Sequence, residues 1–293
     1  LAFLAKNQGG KRMNAPLNAI LLGLLAYTCW AFGDASLKFM GNTSLPWHEI
    51  VSLNGLGSAV TVLVIVMSRG ESKKLRLHNP LHITMLGVLF LAAVFTLLSA
   101  LHQLPLADYF VITFTTPLII AALGAYFLKE RLSRNQLLAV VAGFIGVVIT
   151  ANPFHVTHGY DNILGYATAL LSAFLFACVV IAIRVLGRKE SSESLAFYPA
   201  LALAVGAIVV GLAQGFVPPQ APQLFFTILS GVLGGLGWRW MAIATHRAPA
   251  SLVAPYQYSQ VITGIVLGLL IWDDEPTLNM LVGAAIIAAA GLY

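Results

Sequence analysis

The sequence predicts an all-α membrane protein. It should have ten transmembrane helices, arranged as two inverted five-helix repeats. Three observations carry this expectation: an apolar composition, a series of membrane-length apolar runs with short connections, and a self-similarity between the two halves of the chain.

Of 293 residues, 59% are hydrophobic and only 9% are charged, where an ordinary soluble domain carries about 25% charged residues. Mean hydropathy is +0.86. The net charge of +5 gives no reason to expect nucleic acid, because the basic residues sit in short loops between apolar runs. Cys29 and Cys178 both fall inside predicted helices and read as packed free thiols, which say little about compartment.

A helix needs roughly 20 apolar residues to cross the hydrocarbon core. Such segments cover 16–38, 46–68, 80–102, 105–128, 134–152, 162–186, 193–214, 223–245, 249–272 and 277–293. Turn chemistry separates several of them, as in "GNTSLP" at 41–46, "SRGESKKLRLHNP" at 68–80, "NPFHVTHGYDN" at 152–162 and "GFVPPQAPQ" at 215–223. Residues 1–12, "LAFLAKNQGGKR", precede Met13 and are set aside as a tail or expression remnant. The first repeat then occupies 13–152 and the second 153–293.

Lys and Arg set the expected orientation. Lys6, Lys11 and Arg12 precede the first span. Arg69, Lys73, Lys74 and Arg76 follow the second, and Lys129, Arg131 and Arg134 follow the fourth. Arg184, Arg188 and Lys189 follow the sixth, and Arg247 follows the eighth. With ten spans all of these share one side, and the loops of the other side hold no Lys or Arg. Both termini are therefore expected in the cytoplasm. Only Lys38 and Arg239 are left inside apolar segments.

A shift of 144 positions superposes the middles of the two halves. His102 meets His246, Pro105 meets Pro249, Gly124 meets Gly268, and Asn135 meets Asn279. Near the start of each half the shift is 146, and Trp30 meets Phe176 while Lys38 meets Arg184. Five helices per repeat is an odd number, so the second copy must insert upside down. The charges agree. "LKERLSR" after the fourth span is basic, whereas its counterpart "WDDEPTL" after the ninth is acidic. Inverted repeats of this kind mark secondary transporters, with the substrate near the midplane where the halves meet.

"LPLADYFVITFTTPLIIAALGAYFLKERLSRNQLLAVVAGFIGVVI" (104–149) resembles the second half of an EamA repeat. It has a small-residue-rich helix with a Pro, a Gly, an acidic–basic loop and a Gly-rich closing helix. Residues 248–293 resemble a second copy, and "WAFGDASLKF" (30–39) resembles the family's first helix. The likeness is to the drug/metabolite transporter superfamily and covers nearly the whole chain. It implies an alternating-access carrier that uses no ATP. Two features depart from the pattern. Val261 stands where the repeat puts Pro117, and the closing helix stops at Tyr293, where relatives usually continue into a charged tail, so a trimmed C-terminus is expected. "APYQYSQ" resembles a branch with cargoes as varied as S-adenosylmethionine and riboflavin, while the compact ten-helix form resembles the YddG-type amino acid exporters.

Candidate site residues follow from the cost of polarity in lipid. Asp34 and Lys38 stand at i and i+4, so they share a helix face and can pair. One charge at mid-bilayer costs about 2.5–3.5 kcal/mol. Lys38 can snorkel outward from the helix end, but the shorter Asp34 lies a turn deeper and points to a wet cavity. Arg239 lies between Trp238 and Trp240. It either snorkels or lines the cavity as a carboxylate partner. Tyr256, Gln257 and Tyr258 of "APYQYSQ" cannot all face lipid without partners. Tyr109 belongs to the matching stretch of the fourth span, where Asp108 reads as a helix-end residue. Trp30, Asn54 and Tyr27 are weaker candidates, for which core packing is the plainer role. Pro105 and Pro249, at repeat-related helix starts, are candidate gating residues.

No metal-ligand spacing, phosphate-cradling Gly loop or catalytic constellation stands out, so neither a cofactor nor an enzyme is expected. The leading expectation is a multi-pass carrier of the bacterial inner membrane, exporting small polar metabolites, amino acids and aromatic ones among them. Its partners would be the lipid bilayer and a small-molecule substrate, with no nucleic acid, and it would be a monomer or weak homodimer. Import of a larger cofactor or nucleoside-like cargo on the same fold is the rival.

Overall fold

A computed structural model describes residues 2–38, 45–103, 112–130, 133–151, 163–272 and 278–292. Among these the regular structure is helical throughout. The helices are α1 (Ala2–Lys38), α2 (Trp47–Ser68), α3 (Pro80–Gln103), α4 (Thr116–Leu128) and α5 (Arg134–Ala151). They continue with α6 (Ile163–Leu186), α7 (Ser192–Gln214), α8 (Ala221–Arg247), α9 (Ala250–Val253), α10 (Ser259–Trp272) and α11 (Leu278–Leu292). Residues 2–12, set aside as a tail on sequence grounds, are continuous with α1.

Seven described segments are long and apolar enough to cross a membrane, the last of them running through α9 and α10 as Ala250–Ile271. Three shorter apolar helices, Thr116–Leu128, Arg134–Ile149 and Leu281–Ala290, correspond to the fourth, fifth and tenth expected spans. The segments 104–111, 152–162 and 273–277 beside them lie outside the described residues.

Packing follows the small residues. Helix α1 lies along α8, α2 along both α7 and α8, α3 along α6 and α7, and α5 along α11. Apolar burial cannot drive helices together in lipid, which is itself apolar, so close backbone approach does it instead. Gly57 of α2 faces Gly231 of α8, and a Cβ on either would sit 3.2 or 3.0 Å from the other's Cα. Gly235 lies on the Ser58 backbone, and the Ser58 hydroxyl donates to the Gly231 carbonyl at 2.7 Å. Where α2 crosses α7, a Cβ on Gly55 would come within 2.8 Å of the Ala204 nitrogen and 2.9 Å of the Ala200 carbonyl oxygen. Neither backbone atom can rotate away. Gly55→Val should therefore destabilise the protein by about 1–3 kcal/mol, read as a lower melting temperature in detergent. A melting curve unchanged from wild type would mean that this crossing tolerates a side chain.

The span containing α9 and α10 is interrupted. Between them Ala254–Tyr258 forms a 3-10 turn, where Pro255 has no N–H to donate to the α-helical ladder. A second break lies at 114–115, just before α4, where Pro117 stands in the first helical turn. The two breaks meet through the rings of Phe114 and Tyr258, whose centroids are 6.1 Å apart.

The loops that carry the basic residues meet at one end of the bundle. Glu190 accepts from the backbone N–H groups of His78 and Asn79, at 3.0 and 2.7 Å. Ser191 donates to the Lys74 carbonyl, and the Tyr198 hydroxyl donates to the Leu75 carbonyl at 2.8 Å. At the opposite end Glu49 accepts from the Val217 N–H, and a ring nitrogen of His48 lies 3.0 Å from the Gly215 carbonyl oxygen.

Candidate functional site

Helix α1 has two faces. Leu17, Leu21, Leu25 and Phe32 are exposed large apolar residues and form its outer side. At about 100° per residue, Asp34 stands roughly 180° from Leu25 and within roughly 40° of Tyr27 and Trp30. Tyr27 is buried, and so is Gly33 beside Asp34, which packs on Ser230. Asp34 is exposed although it lies on the inward face. It stands on the side of the helix opposite Leu25. The side chain of Lys38 lies outside the described residues, so the expected i,i+4 pair is not described.

Below Asp34 the rings gather. Trp30 lies 5.3 Å from Tyr27, 4.8 Å from Trp238 and 6.2 Å from Phe176, and Trp238 lies 4.8 Å from Phe90. Helices α1, α3, α6 and α8 each contribute to this cluster. Gly237 makes it possible, since a Cβ there would sit 2.5 Å from the Trp30 indole nitrogen. Trp238 is therefore an interior ring and not part of an interfacial belt.

Several buried polar atoms around this cluster have no partner among the described residues. They include the Tyr27 hydroxyl, the Trp30 indole N–H and the Gln257 amide oxygen. Tyr27 is 1% exposed and Gln257 9% exposed. Gln257 belongs to the 3-10 turn, which packs against α1, and Tyr256 packs beside Tyr27. An unpartnered buried polar group costs about 1–3 kcal/mol. These groups come from α1 and from the 3-10 turn that packs on it, and the Trp30 indole nitrogen lies against Gly237 of α8.

The other candidates have different surroundings. The Tyr258 hydroxyl donates to the Val140 carbonyl at 3.3 Å, and its ring covers Gly143, so it ties the 3-10 turn to α5. The Asn54 amide donates to the Ser230 hydroxyl at 3.0 Å and ties α2 to α8. Arg239 is buried and pairs with Glu193 of α7 at 3.2 Å, while its Nε has no partner among the described residues. Lys74 adds a second, looser contact to Glu193 at 3.7 Å. Pro249 stands exposed immediately before α9. Pro105 and Tyr109 lie outside the described residues.

Sequence reasoning passed over Glu193, Glu190 and Glu130. Each stands at a helix end, where an acid reads as a solvated cap. Their surroundings come from distant segments: Glu190 from the loop at His78 and Asn79, Glu193 from Arg239 of α8, and Glu130 from Arg184 of α6 and Ser251 of α9. No group of His, Cys, Asp and Glu suited to a metal occurs among the described residues.

The family model for EamA-like transporters matches residues 17–152 and 163–293. The chain belongs to the EamA-like transporter family, within the drug/metabolite transporter superfamily. The S-adenosylmethionine uptake transporter of Rickettsia felis is 27% identical to it, over 96% of this chain and 95% of that protein. The pseudopaline exporter CntI of Pseudomonas aeruginosa PAO1 is 26% identical, over 93% of this chain and 94% of its own. A crystal structure covering 93% of this chain and 94% of its own superposes with a TM-score of 0.82 at 20% identity, which shows a shared fold. The protein is accordingly a multi-pass membrane transporter of small molecules.

Proposed function

We propose that the protein is a secondary carrier of the bacterial inner membrane that exports amino acids or close derivatives through a site between two inverted repeats. The observation that carries this reading is the presence of buried polar atoms on Tyr27, Trp30 and Gln257 that have no partner among the described residues, with Asp34 a turn further along α1 from Trp30. Asp34 suits an ammonium group and Lys38 a carboxylate, and the ring cluster suits an apolar side chain. A zwitterionic amino acid offers all three. Arg239, Asn54, Tyr256, Tyr258 and Tyr109 are the carrier's further candidate substrate-binding residues on sequence grounds, and Pro105 and Pro249 its candidate gating residues.

The two-repeat reading has three supports. The family model matches both halves. The main packing contacts between the halves exchange when each span is moved on by five, whereas the α7–α8 contact within the second half has no comparable α2–α3 contact in the first. The α1–α8 contact becomes α6–α3, and α2–α8 becomes α7–α3. The α4–α6 contact becomes the packing of α9 and α10 on α1, while α2–α7 and α5–α11 map onto themselves. Lastly, repeat-related residues touch one another, Trp30 against Phe176 and Phe114 against Tyr258, as residues beside a two-fold axis must.

Uptake of an S-adenosylmethionine-type cargo is the second reading, favoured by the names of the Rickettsia relatives. Counterflow in proteoliposomes separates the two. Accumulation of labelled amino acids supports the first. Accumulation of S-adenosylmethionine alone supports the second, and accumulation of neither defeats both. In the same vesicles Asp34→Asn should lower the initial rate and alter its dependence on pH. Wild-type rates with a wild-type pH profile would remove Asp34 from the site.

Orientation has its own test. The basic end, including position 73, is proposed to be cytoplasmic and position 274 external. A membrane-impermeant thiol reagent applied to whole cells should modify Asp274→Cys and spare Lys73→Cys. The reverse pattern would invert the carrier.

A further inference from the structure

We propose that the basic end of the bundle is closed by a hinged gate, formed by α4 and α9 and latched by Glu130. The proposal rests on the carrier reading and names how its site is reached from that end.

The two helix breaks are the hinges. One lies at 114–115, before α4, and the other at 254–258, after α9, and they touch through Phe114 and Tyr258. On the basic-end side of these breaks, one carboxylate holds four helices. Glu130 Oε2 accepts from the Ser251 hydroxyl of α9 at 3.0 Å. Its Oε1 lies 3.5 Å from Nε of Arg184, on α6. Arg184 in turn donates to the Thr245 carbonyl of α8. The chain is shaped to present this carboxylate. Lys129, with φ of 53°, turns the end of α4 back, and the Glu130 N–H bonds the Gly124 carbonyl at 3.2 Å. A Cβ at Gly124 would lie only 3.1 Å from Oε2.

The remaining ties at this end are of another kind. Glu190, Ser191 and Tyr198 clasp the loop between α2 and α3. Those ties join α2, α3, α6 and α7, helices that pack on one another between the halves, so they belong to a block that need not move. Helix α9, by contrast, has only four residues and is flanked by Pro249 and the 3-10 turn. Its Val253 covers Gly23 of α1, at 2.7 Å from an ideal Cβ, and packs in one cluster with Tyr27. An outward swing of α9 uncovers Tyr27 and the turn that carries Gln257. A swing of α4 removes the carboxylate that pins α9 in place.

The test reads gate opening without needing a cargo. In this chain reconstituted in liposomes, with Cys29→Ala and Cys178→Ala, the reporter is Val253→Cys, at a position 1% exposed in the closed form. Its labelling by a water-soluble maleimide is timed. Glu130→Gln keeps the shape of the latch and removes its charge. It should speed labelling about tenfold, the population shift expected from losing one charge-assisted contact. Ser251→Ala, a milder change, should raise it less, and Glu190→Gln in the fixed block should not raise it. Unchanged labelling in both Glu130→Gln and Ser251→Ala overturns the latch. An equal rise in Glu190→Gln also overturns it, because it would mean general loosening. A gate that opens in a protein moving neither amino acids nor S-adenosylmethionine defeats the carrier reading and leaves the latch standing.

Discussion

Tyr27→Phe combined with Gln257→Leu should reduce transport by one to two orders of magnitude while leaving the fold as stable as before, or more so. The reason is an asymmetry in hydrogen-bond energetics. Both side chains are buried, and the Tyr27 hydroxyl and the Gln257 amide oxygen have no hydrogen-bond partner among the described residues. Removing an unpartnered buried polar group removes a penalty of about 1–3 kcal/mol instead of an interaction. A group retained for stability would show the opposite sign. If the two groups bind cargo, each lost hydrogen bond weakens it by about 0.5–1.5 kcal/mol, so the pair should cost about 10- to 100-fold in the specificity constant. Two measurements on one preparation decide the matter: the melting temperature in detergent and the counterflow rate at matched incorporation. A lower melting temperature with unchanged counterflow would make both residues structural and move the cargo elsewhere in the bundle.

Much of the architecture is legible in the sequence, because lipid forces it. Backbone groups in hydrocarbon must bond within their own helix, so membrane-length apolar runs become helices. Pro255 marks the interrupted segment for the same reason, since it removes a donor that lipid cannot replace. The expectation that Asp34 faces a cavity follows from an energetic argument about a short acid deep in lipid; the structure adds that it is exposed and stands opposite Leu25 on α1. Other features needed the third dimension. Tyr27 reads as packing until its hydroxyl is seen to lack a partner. Tyr258 and Gln257 are neighbours in one polar stretch, yet one bonds the Val140 carbonyl and the other has a free amide oxygen. Periodicity cannot separate them, because the 3-10 turn changes the angle between successive side chains. Arg239 shows the same limit. The sequence reveals a costly charge but not its partner, which lies 46 residues earlier, at the start of α7.

That partner sets up the second large effect. Glu193→Ala should destabilise the protein by about 3–5 kcal/mol, enough to prevent recovery of folded protein, because it leaves the buried Arg239 guanidinium without its carboxylate. Lys74 cannot replace the loss, since it carries the same sign as Arg239. The double variant Glu193→Ala with Arg239→Met should recover most of the stability, because replacing both members of a buried ion pair by apolar groups is often neutral or better. The recovered protein then tests what Arg239 does beyond holding α7 to α8. If the double variant folds and transports at the wild-type rate, the pair is a strut and Arg239 does not meet the cargo. If it folds but has lost transport, the unpartnered Nε of Arg239 is a group that cargo engages. A double variant as unstable as Glu193→Ala alone would mean that shape at this site, and not uncompensated charge, causes the loss. A thermal melt of the three proteins, followed by counterflow on those that fold, separates these outcomes.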